Sequence, residues 1–179
     1  LMGVGDRAIA SAVRSFAGVE HRLERVGCLQ GVTFVNDSKA TNVDATCVAL
    51  AAIDGPIHLI LGGRDKGSPY APIIAAGGDR LQSVVTIGEA AARIESELAS
   101  AIRTQRAATL QQAVRLAFEA AASGHTVLLS PACSSFDMFA DYEARGRAFR
   151  EIVAALLAPS TDPEAPATIR RHDNKGSAS

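Results

Sequence analysis

Short apolar segments alternate along the chain with longer segments in which hydrophobic residues recur at helical spacing. The apolar runs end at glycines or polar clusters, which is typical of buried strands. The longer segments carry apolar residues every three or four positions, as amphipathic helices do. The pattern predicts strands at residues 25–29, 32–35, 57–61, 83–87 and 126–129, helices at residues 6–16, 43–53, 71–76, 90–102 and 110–122, and a last helix marked by Phe139, Tyr142, Phe149, Val153 and Leu156.

The order of these elements predicts the fold class. Strands that alternate with helices favour an α/β, Rossmann-like domain with a mainly parallel sheet and helices on both faces. The first two strands are separated only by Gln30 and Gly31, so they could form a hairpin. Asn42 has the position of a helix N-cap. Thr109 and Gln112 have the spacing of a capping box at the start of another helix.

Composition narrows the class of protein. Hydrophobic residues make up 47% of the chain and aromatic residues 4%, so aliphatic side chains must build the core. The formal net charge of -1 argues against a basic face for nucleic acid. No apolar run approaches the roughly 20 residues that span a bilayer. Cys28, Cys47 and Cys133 are too scattered for a disulfide framework or a zinc site. We expect a cytoplasmic monomer with no metal site, membrane insertion or nucleic-acid partner.

Polar clusters follow three of the predicted strands. Residues 36–42 (NDSKATN), 62–67 (GGRDKG) and 130–137 (SPACSSFD) each begin where an apolar run ends. Because the carboxyl ends of parallel strands meet at one edge of a sheet, these loops are expected to form a ligand site. Glycines let the backbone approach a ligand, and lysines suit carboxylate or phosphate groups. For any single loop the alternative is ordinary turn chemistry, which favours the same residue types.

Three motifs carry a resemblance to a known family: NDSKATN, LILGGRDKG and LLSPACSSFDMFADYEARG, preceded by the pair His21-Arg22. They resemble the C-terminal part of the Mur ligases, and most closely the members that add D-glutamate. The resemblance extends from about residue 6 to residue 157. It implies a cytoplasmic enzyme of peptidoglycan precursor synthesis. Such enzymes use ATP and Mg²⁺ to convert the carboxylate of UDP-N-acetylmuramoyl-L-alanine into an acyl phosphate, which the amine of D-glutamate then attacks.

The resemblance also implies a domain organisation. Residues 1–24 would end a central ATPase domain, residues 25–158 would form the Rossmann-like C-terminal domain, and the polar residues 159–179 would be a disordered tail. The chain has no G-x-x-x-x-G-K-[ST] phosphate loop. The main ligands of ATP and Mg²⁺ would therefore lie outside this chain, and we expect no ligation by it alone.

By position in the motifs, the resemblance assigns a nucleotide-binding set. Arg22 would contact the nucleotide from the domain junction, and Asp37 would accept hydrogen bonds from the ribose hydroxyls. Lys39 would face phosphate or the activated carboxylate, which makes it the one candidate catalytic residue. Each has an alternative: Arg22 could pair with Glu20 or Glu24, Asp37 could cap a turn, and Lys39 could be an ordinary surface lysine.

A second set is assigned to D-glutamate, a dianion with one amine. The side chains of Thr41, Lys66 and Ser135 would hold its two carboxylates, helped by the backbones of Phe136 and Tyr142. A cation, hydroxyls and backbone N–H groups are the donors that such a ligand needs. Tyr142 stands where the family typically has phenylalanine. The alternative for Lys66 is again a solvated surface lysine.

The sequence also allows other interpretations of single residues and of the function. Cys133 could be a nucleophile, but no histidine is spaced to serve as its base, and a small buried residue is the preferred interpretation. His58 lies inside a strand and is interpreted as structural. The chain could also be a stand-alone module of the same fold that binds a small anion or a protein, or a family member with another amino-acid substrate.

Overall fold

The computed structural model describes residues 19–158, so the predicted helix at residues 6–16 and the predicted tail at residues 159–179 lie outside the described part. None of the helices within residues 19–158 has the length and hydrophobicity to cross a membrane. The strands are β1 (Glu24–Leu29), β2 (Val32–Asn36), β3 (Ile57–Gly62), β4 (Leu81–Ile87), β5 (Thr104–Arg106) and β6 (Thr126–Leu129). The helices are α1 (Val43–Ala52), α2 (Ala71–Gly77), α3 (Ala91–Leu98), α4 (Leu110–Ala120) and α5 (Tyr142–Leu157), with a 3₁₀ turn at Gly78–Arg80.

The strands form one six-stranded sheet in the order β1-β2-β6-β3-β4-β5. β1 and β2 are antiparallel and are joined by Gln30 (φ 51°) and Gly31 (φ 79°). Two consecutive positive φ angles match the tight hairpin turn that fits the twist of the flanking strands. All other neighbouring strands are parallel. The predicted hairpin and the mainly parallel sheet are confirmed.

Helices cover both faces of the sheet, as predicted. Successive strand residues point to opposite faces. In β3, Leu59 and Leu61 therefore pack in one core with residues of α1, α2 and α3, whereas Ile60 packs in a second core with residues of α4 and α5. β6 divides in the same way: Leu128 belongs to the first core, and Val127 belongs to the second. The central strands are consequently buried on both sides.

Strand β5 was not predicted from the sequence, and α3 is shorter than predicted. The three residues of β5 are half-buried or exposed and include no apolar residue, so no hydrophobic run marks this edge strand. Helix α3 ends at Leu98 instead of residue 102. The chain turns there, and the N–H groups of Ala101 and Ile102 both donate to the Leu98 carbonyl (2.9 and 3.1 Å).

The predicted helix N-caps are confirmed. The side chain of Asn42 accepts the N–H of Ala45 at 2.8 Å, and Thr109 Oγ1 accepts the N–H of Gln112 at 3.1 Å. Asp141 caps α5 in the same manner. Each cap satisfies a backbone donor that has no partner within its own helix. Asn42 and Asp141 each end a loop at the carboxyl edge, so both caps help to fix the ends of those loops.

A buried histidine, His58, contacts the half-buried His125 at the opposite, amino-terminal edge of the sheet. The ring of His58, which is 3% exposed, lies 3.0 Å (Nε2 to Nδ1) from that of His125, and its other nitrogen is 2.8 Å from Ser83 Oγ. Burial, with the neighbouring His125, lowers the pKa of His58 from 6.5 to about 4. His58 is therefore neutral at pH 7 in the folded protein. The interpretation of His58 as structural agrees with this burial.

Acid should destabilise the fold through His58. Between pH 6.5 and 4 the unfolded chain binds a proton at this histidine that the folded chain does not, so stability falls as the pH drops through this interval. We expect the free energy of unfolding to be lower by roughly 2–3 kcal/mol at pH 4 than at pH 7 from this group alone. Urea unfolding at several pH values measures the slope. His58→Gln should remove the contribution of His58 to the pH dependence of the free energy of unfolding. An unchanged pH dependence in this variant would contradict the lowered pKa of His58.

Candidate functional site

The loops that follow β2, β3 and β6 meet at the carboxyl edge of the sheet, as the sequence predicted. β6 lies between β2 and β3, so the three loops are neighbours. Backbone hydrogen bonds then join two of them: the N–H of Gly62 donates to the Pro131 carbonyl and the N–H of Arg64 donates to the Ser134 carbonyl, both at 2.9 Å. The loops after β3 and β6 are thus joined through their backbones and are not separate turns.

The loop after β2 is anchored by Asn36, whose side chain is fully buried. Its amide oxygen accepts the N–H of Ser38 at 3.2 Å. Its amide nitrogen donates to the Glu24 carboxylate (3.1 Å) and to the Gly146 carbonyl (3.2 Å), and lies 3.0 Å from His21 Nδ1. One asparagine therefore ties the start of this loop to β1 and to α5.

Asp37 is held by protein donors on both carboxylate oxygens. Oδ1 accepts the N–H of Leu23 at 3.2 Å, and Oδ2 accepts the hydroxyl of Ser130 at 2.8 Å. The residue is only 4% exposed, and burial raises its pKa above the usual value of an aspartate, although the hydrogen bonds and Arg22 act in the opposite direction. Ser130 was not among the predicted site residues, yet it fixes the orientation of one that was.

The three residues assigned to the nucleotide line a single cavity of about 260 Å³. The side chains of Arg22, Asp37 and Lys39 thus share one concave surface. Part of its wall is apolar and includes Val48, which is 67% exposed. The alternative interpretation of Arg22 was an ion pair with Glu20 or Glu24. In the structure both glutamates pair with Arg150 instead, each at 3.2 Å. The lining residues are Arg22, Leu23, Asp37, Lys39, Ala40, Ala45, Val48 and Ala49.

Four of the five residues assigned to D-glutamate come from the three loops, and none of the five lines that cavity. Thr41 is half-buried and Lys66 is exposed. Ser135 is 2% exposed, whereas the next side chain, Phe136, is 61% exposed. Tyr142 is the first residue of α5 and is half-buried. The two predicted sets therefore occupy different parts of the same sheet edge.

Tyr142 connects these two parts. Its carbonyl accepts the hydroxyl of Ser38 at 2.8 Å. Its ring lies beneath the Lys39 ammonium, 5.6 Å from the ring centroid, and meets the His21 ring edge-on at 6.4 Å. A cation above an aromatic face is attracted by the ring quadrupole. The ammonium group of Lys39 therefore lies close to the start of α5, although Lys39 itself belongs to the loop after β2.

Arg145 is the largest fully buried side chain among the described residues, and it was not predicted as part of the site. Its Nε donates to Ser38 Oγ (2.9 Å), and its two terminal nitrogens donate to the carbonyls of Ser38 (2.8 Å) and Cys133 (3.2 Å). Burial lowers the pKa of Arg145 to about 10, so it stays charged at pH 7. The sequence signal was its spacing: Arg145 lies four residues before Phe149, on the apolar stripe of α5.

Cys133 is a structural residue, as preferred from the sequence. It is 1% exposed, its Sγ lies 3.1 Å from the hydroxyl of Tyr70, and burial raises the pKa of its thiol. A reactive cysteine needs the opposite shift and access to solvent. Its carbonyl, which accepts from Arg145, is the part that contributes to the site.

Comparison with known proteins places these features in a family. A family model described as the glutamate ligase domain of Mur ligases matches residues 21–133. The UDP-N-acetylmuramoylalanine–D-glutamate ligase of Acidobacterium capsulatum is 52% identical over 155 residues, which are 87% of this chain and 34% of that protein. The enzyme of the same name from Solibacter usitatus is 53% identical over 154 residues, 86% of this chain and 35% of that protein. The chain spans about a third of the length of these relatives.

Solved structures share the fold at low sequence identity. UDP-N-acetylmuramate-alanine ligase from Thermotoga maritima superimposes with a TM-score of 0.62 at 15% identity, over 87% of this chain and 35% of that one. A bifunctional folylpolyglutamate synthase/dihydrofolate synthase from Yersinia pestis gives a TM-score of 0.59 at 16% identity, over 88% of this chain and 36% of that one. The family match covers more than half of the chain, and this protein therefore belongs to the Mur ligase family through its glutamate ligase domain.

Proposed function

We propose that this chain is the amino-acid-binding, C-terminal domain of a cytoplasmic ATP-dependent ligase that adds D-glutamate to UDP-N-acetylmuramoyl-L-alanine. The observation that carries the proposal is the junction of polar loops at one sheet edge, where Arg64 N–H donates to the Ser134 carbonyl. That junction brings the loops of Lys66 and Ser135 side by side. The names of relatives that are about half identical in sequence support D-glutamate as the amino acid.

In this proposal the edge of the sheet captures the two carboxylates of D-glutamate. The ammonium group of Lys66 neutralises one of them, and the hydroxyls of Thr41 and Ser135 donate to their oxygens. The backbone N–H groups of Phe136 and Tyr142 complete the set of donors. With both carboxylates held, the amine on the α-carbon of D-glutamate is left free to attack the acyl phosphate. Catalysis by this domain would therefore consist largely of positioning.

The cavity lined by Arg22, Asp37 and Lys39 suits part of a nucleotide. Arg22 and Lys39 provide positive charge for phosphate, and the apolar wall around Val48 provides a surface for a base. Asp37 already accepts one hydrogen bond at each oxygen. Each carboxylate oxygen has a second lone pair, so ribose hydroxyls would use the remaining ones. Asp37 would then be a pre-oriented acceptor at the rim of the cavity.

The phosphate loop and the magnesium ligands are assigned to a central domain of the longer protein. Within residues 19–158 no group of three His, Cys, Asp or Glu side chains could hold a metal ion. ATP supplies the phosphoryl group that activates the carboxylate of the second substrate. Residues 1–24 would form the junction about which this domain closes on the central one. We expect the chain alone to bind D-glutamate and to make no ligation product.

Titration with D-glutamate tests the proposal. In the ¹⁵N-labelled chain we expect saturable chemical-shift changes around Thr41, Lys66 and Ser135, and weaker changes with L-glutamate. Lys66→Ala should weaken D-glutamate binding by at least about tenfold, since the charge opposite a carboxylate is lost. Arg115→Ala is the control, because Arg115 is another exposed cation, lies on α4 and is assigned to neither ligand. It should keep the affinity for D-glutamate within about twofold.

Two results would contradict the proposal: an equal response to both isomers, or unchanged binding by Lys66→Ala. If the wild-type chain gives no response, the same titration in the full-length ligase with a non-hydrolysable ATP analogue separates two explanations. Binding there would mean that the site forms on domain closure. No binding there would exclude D-glutamate as the ligand.

A further inference from the structure

The loop that carries Lys66 is held by Asp65. This segment, residues 63–70, connects β3 to α2 and is largely exposed. Asp65 Oδ1 accepts the N–H of Gly67 at 3.0 Å and the hydroxyl of Tyr70 at 3.0 Å. The Tyr70 hydroxyl also lies 3.1 Å from the buried Sγ of Cys133. Asp65 therefore closes the loop on itself and connects it to the residue that precedes Ser134 and Ser135.

Arg93 of α3 holds the same loop from the other side. One terminal nitrogen donates to Asp65 Oδ2 at 2.6 Å, and the other donates to the carbonyls of Gly67 (3.3 Å) and Ser68 (3.1 Å). Its guanidinium lies 5.4 Å from the centroid of the Tyr70 ring. The residues that Arg93 contacts thus lie on both sides of Lys66 in the sequence.

Glu97 fixes Arg93 one helical turn later. Its Oε1 accepts from Arg93 Nε at 2.8 Å, and its Oε2 accepts the N–H of Tyr70 at 2.7 Å. The contacts form a closed ring in which Asp65, Arg93, Glu97 and Tyr70 each bind the next. A closed network of charged hydrogen bonds fixes the relative positions of its members more strictly than an isolated surface ion pair does.

We propose that Arg93 is a positioning residue for the amino-acid site: its guanidinium fork sets the conformation of residues 65–68 and so the place of the Lys66 ammonium. The inference rests on the proposed function, in which Lys66 binds a carboxylate of D-glutamate. Lys66 itself is exposed and takes part in no ion pair within residues 19–158, so its backbone decides where the ammonium lies. On the C-terminal side of Lys66, Asp65 binds the N–H of Gly67 and Arg93 binds the carbonyls of Gly67 and Ser68. On the N-terminal side, Arg93 binds the side chain of Asp65.

The charge state of the network supports this role. The N–H of Gly67, followed by Arg93, lowers the pKa of Asp65 to about 2, so the carboxylate stays ionised at neutral pH. Arginine is required here by geometry as well as charge. Three nitrogens in one plane reach Asp65, Glu97 and two carbonyls at once, whereas the single ammonium of a lysine could satisfy only part of this set.

Arg93→Lys tests the inference, with Arg115→Lys as the matched control. Arg115 pairs with Glu119 in the same i,i+4 arrangement on α4, which packs on the face of the sheet opposite to α3. Two quantities are measured on the whole chain: amide hydrogen exchange at Gly67 without ligand, and the dissociation constant for D-glutamate. In Arg93→Lys we expect Gly67 to exchange at least about tenfold faster and D-glutamate to bind at least about tenfold more weakly. Arg115→Lys should change neither quantity.

The two measurements separate the possible failures. Unchanged exchange at Gly67 in Arg93→Lys would overturn the inference, because the loop would not depend on the guanidinium fork. Faster exchange with unchanged affinity would also overturn it, since the order of the loop would not matter to the ligand. Absence of D-glutamate binding by the wild-type chain and by the full-length ligase would instead refute the proposed function, while the exchange data would still report on the loop.

Discussion

An Arg145→Ala variant should unfold with a free energy at least about 3 kcal/mol below that of the wild type, since each buried acceptor that loses its donor costs about 1–3 kcal/mol. Three acceptors are affected: Ser38 Oγ, the Ser38 carbonyl and the Cys133 carbonyl. The arginine is 1% exposed, so water cannot replace it without rearrangement of the loops. A domain of this size is stable by only about 5–15 kcal/mol, so the loss is a substantial fraction of the total.

The effect should reach the ligand site as well as the fold. Arg145 binds the backbone of the loop after β2, which continues to Thr41, and the backbone of the loop after β6, which continues to Ser135. Without it, two of the loops assigned to D-glutamate lose their common support. Arg145→Lys should remain less stable than the wild type, because one ammonium cannot reach three acceptors that lie around a planar fork.

Arg150→Ala provides the comparison within the same helix. Arg150 is more exposed and pairs with Glu20 and Glu24 at the surface, contacts that are worth about 0–1 kcal/mol. Urea unfolding monitored by circular dichroism gives both values. Similar losses for the Arg145 and Arg150 variants would mean that the buried hydrogen bonds contribute no more than surface ion pairs, contrary to the expectation.

The convergence of the three polar loops could be predicted from the sequence because it follows from topology. Apolar runs mark the buried strands, and parallel strands must end at a common edge. The polar residues after each run therefore had to converge, whichever ligand they bind. Asn42 could be placed as a helix N-cap for an equally local reason, since its partner is three residues away.

The supports of the site could not be predicted, because their partners are remote in sequence. Arg145 and Ser38 are 107 residues apart, and Arg93 and Asp65 are 28 residues apart. Local periodicity identifies which face of a helix is buried, but it gives no information about which loop meets a given arginine. Strand β5 was missed for a related reason: it is fixed by pairing with β4, and its own side chains carry no hydrophobic signal.

Gly63→Ala should be strongly disruptive, because Gly63 lies where the loop after β3 meets the loop after β6. Its φ of 136° is a conformation that side chains rarely adopt, and a Cβ atom would lie 2.3 Å from the Ser134 carbonyl oxygen and 3.3 Å from a terminal nitrogen of Arg145. That carbonyl is the acceptor of the Arg64 N–H. Backbone strain of about 1–3 kcal/mol and a lost buried hydrogen bond of about 1–3 kcal/mol should together lower the free energy of unfolding by roughly 2–6 kcal/mol.

Gly67→Ala in the same loop separates strain from close contact. Gly67 also has a positive φ (80°), but nothing lies within 4 Å of its added Cβ, so only the backbone term of about 1–2 kcal/mol applies. The difference between the two variants in urea unfolding measures the contact between the loops after β3 and β6. We expect D-glutamate binding to be lost in Gly63→Ala, because the junction beside Ser135 must open. Equal destabilisation by both alanines would show that the junction tolerates a methyl group and that its tight packing is not required by the fold.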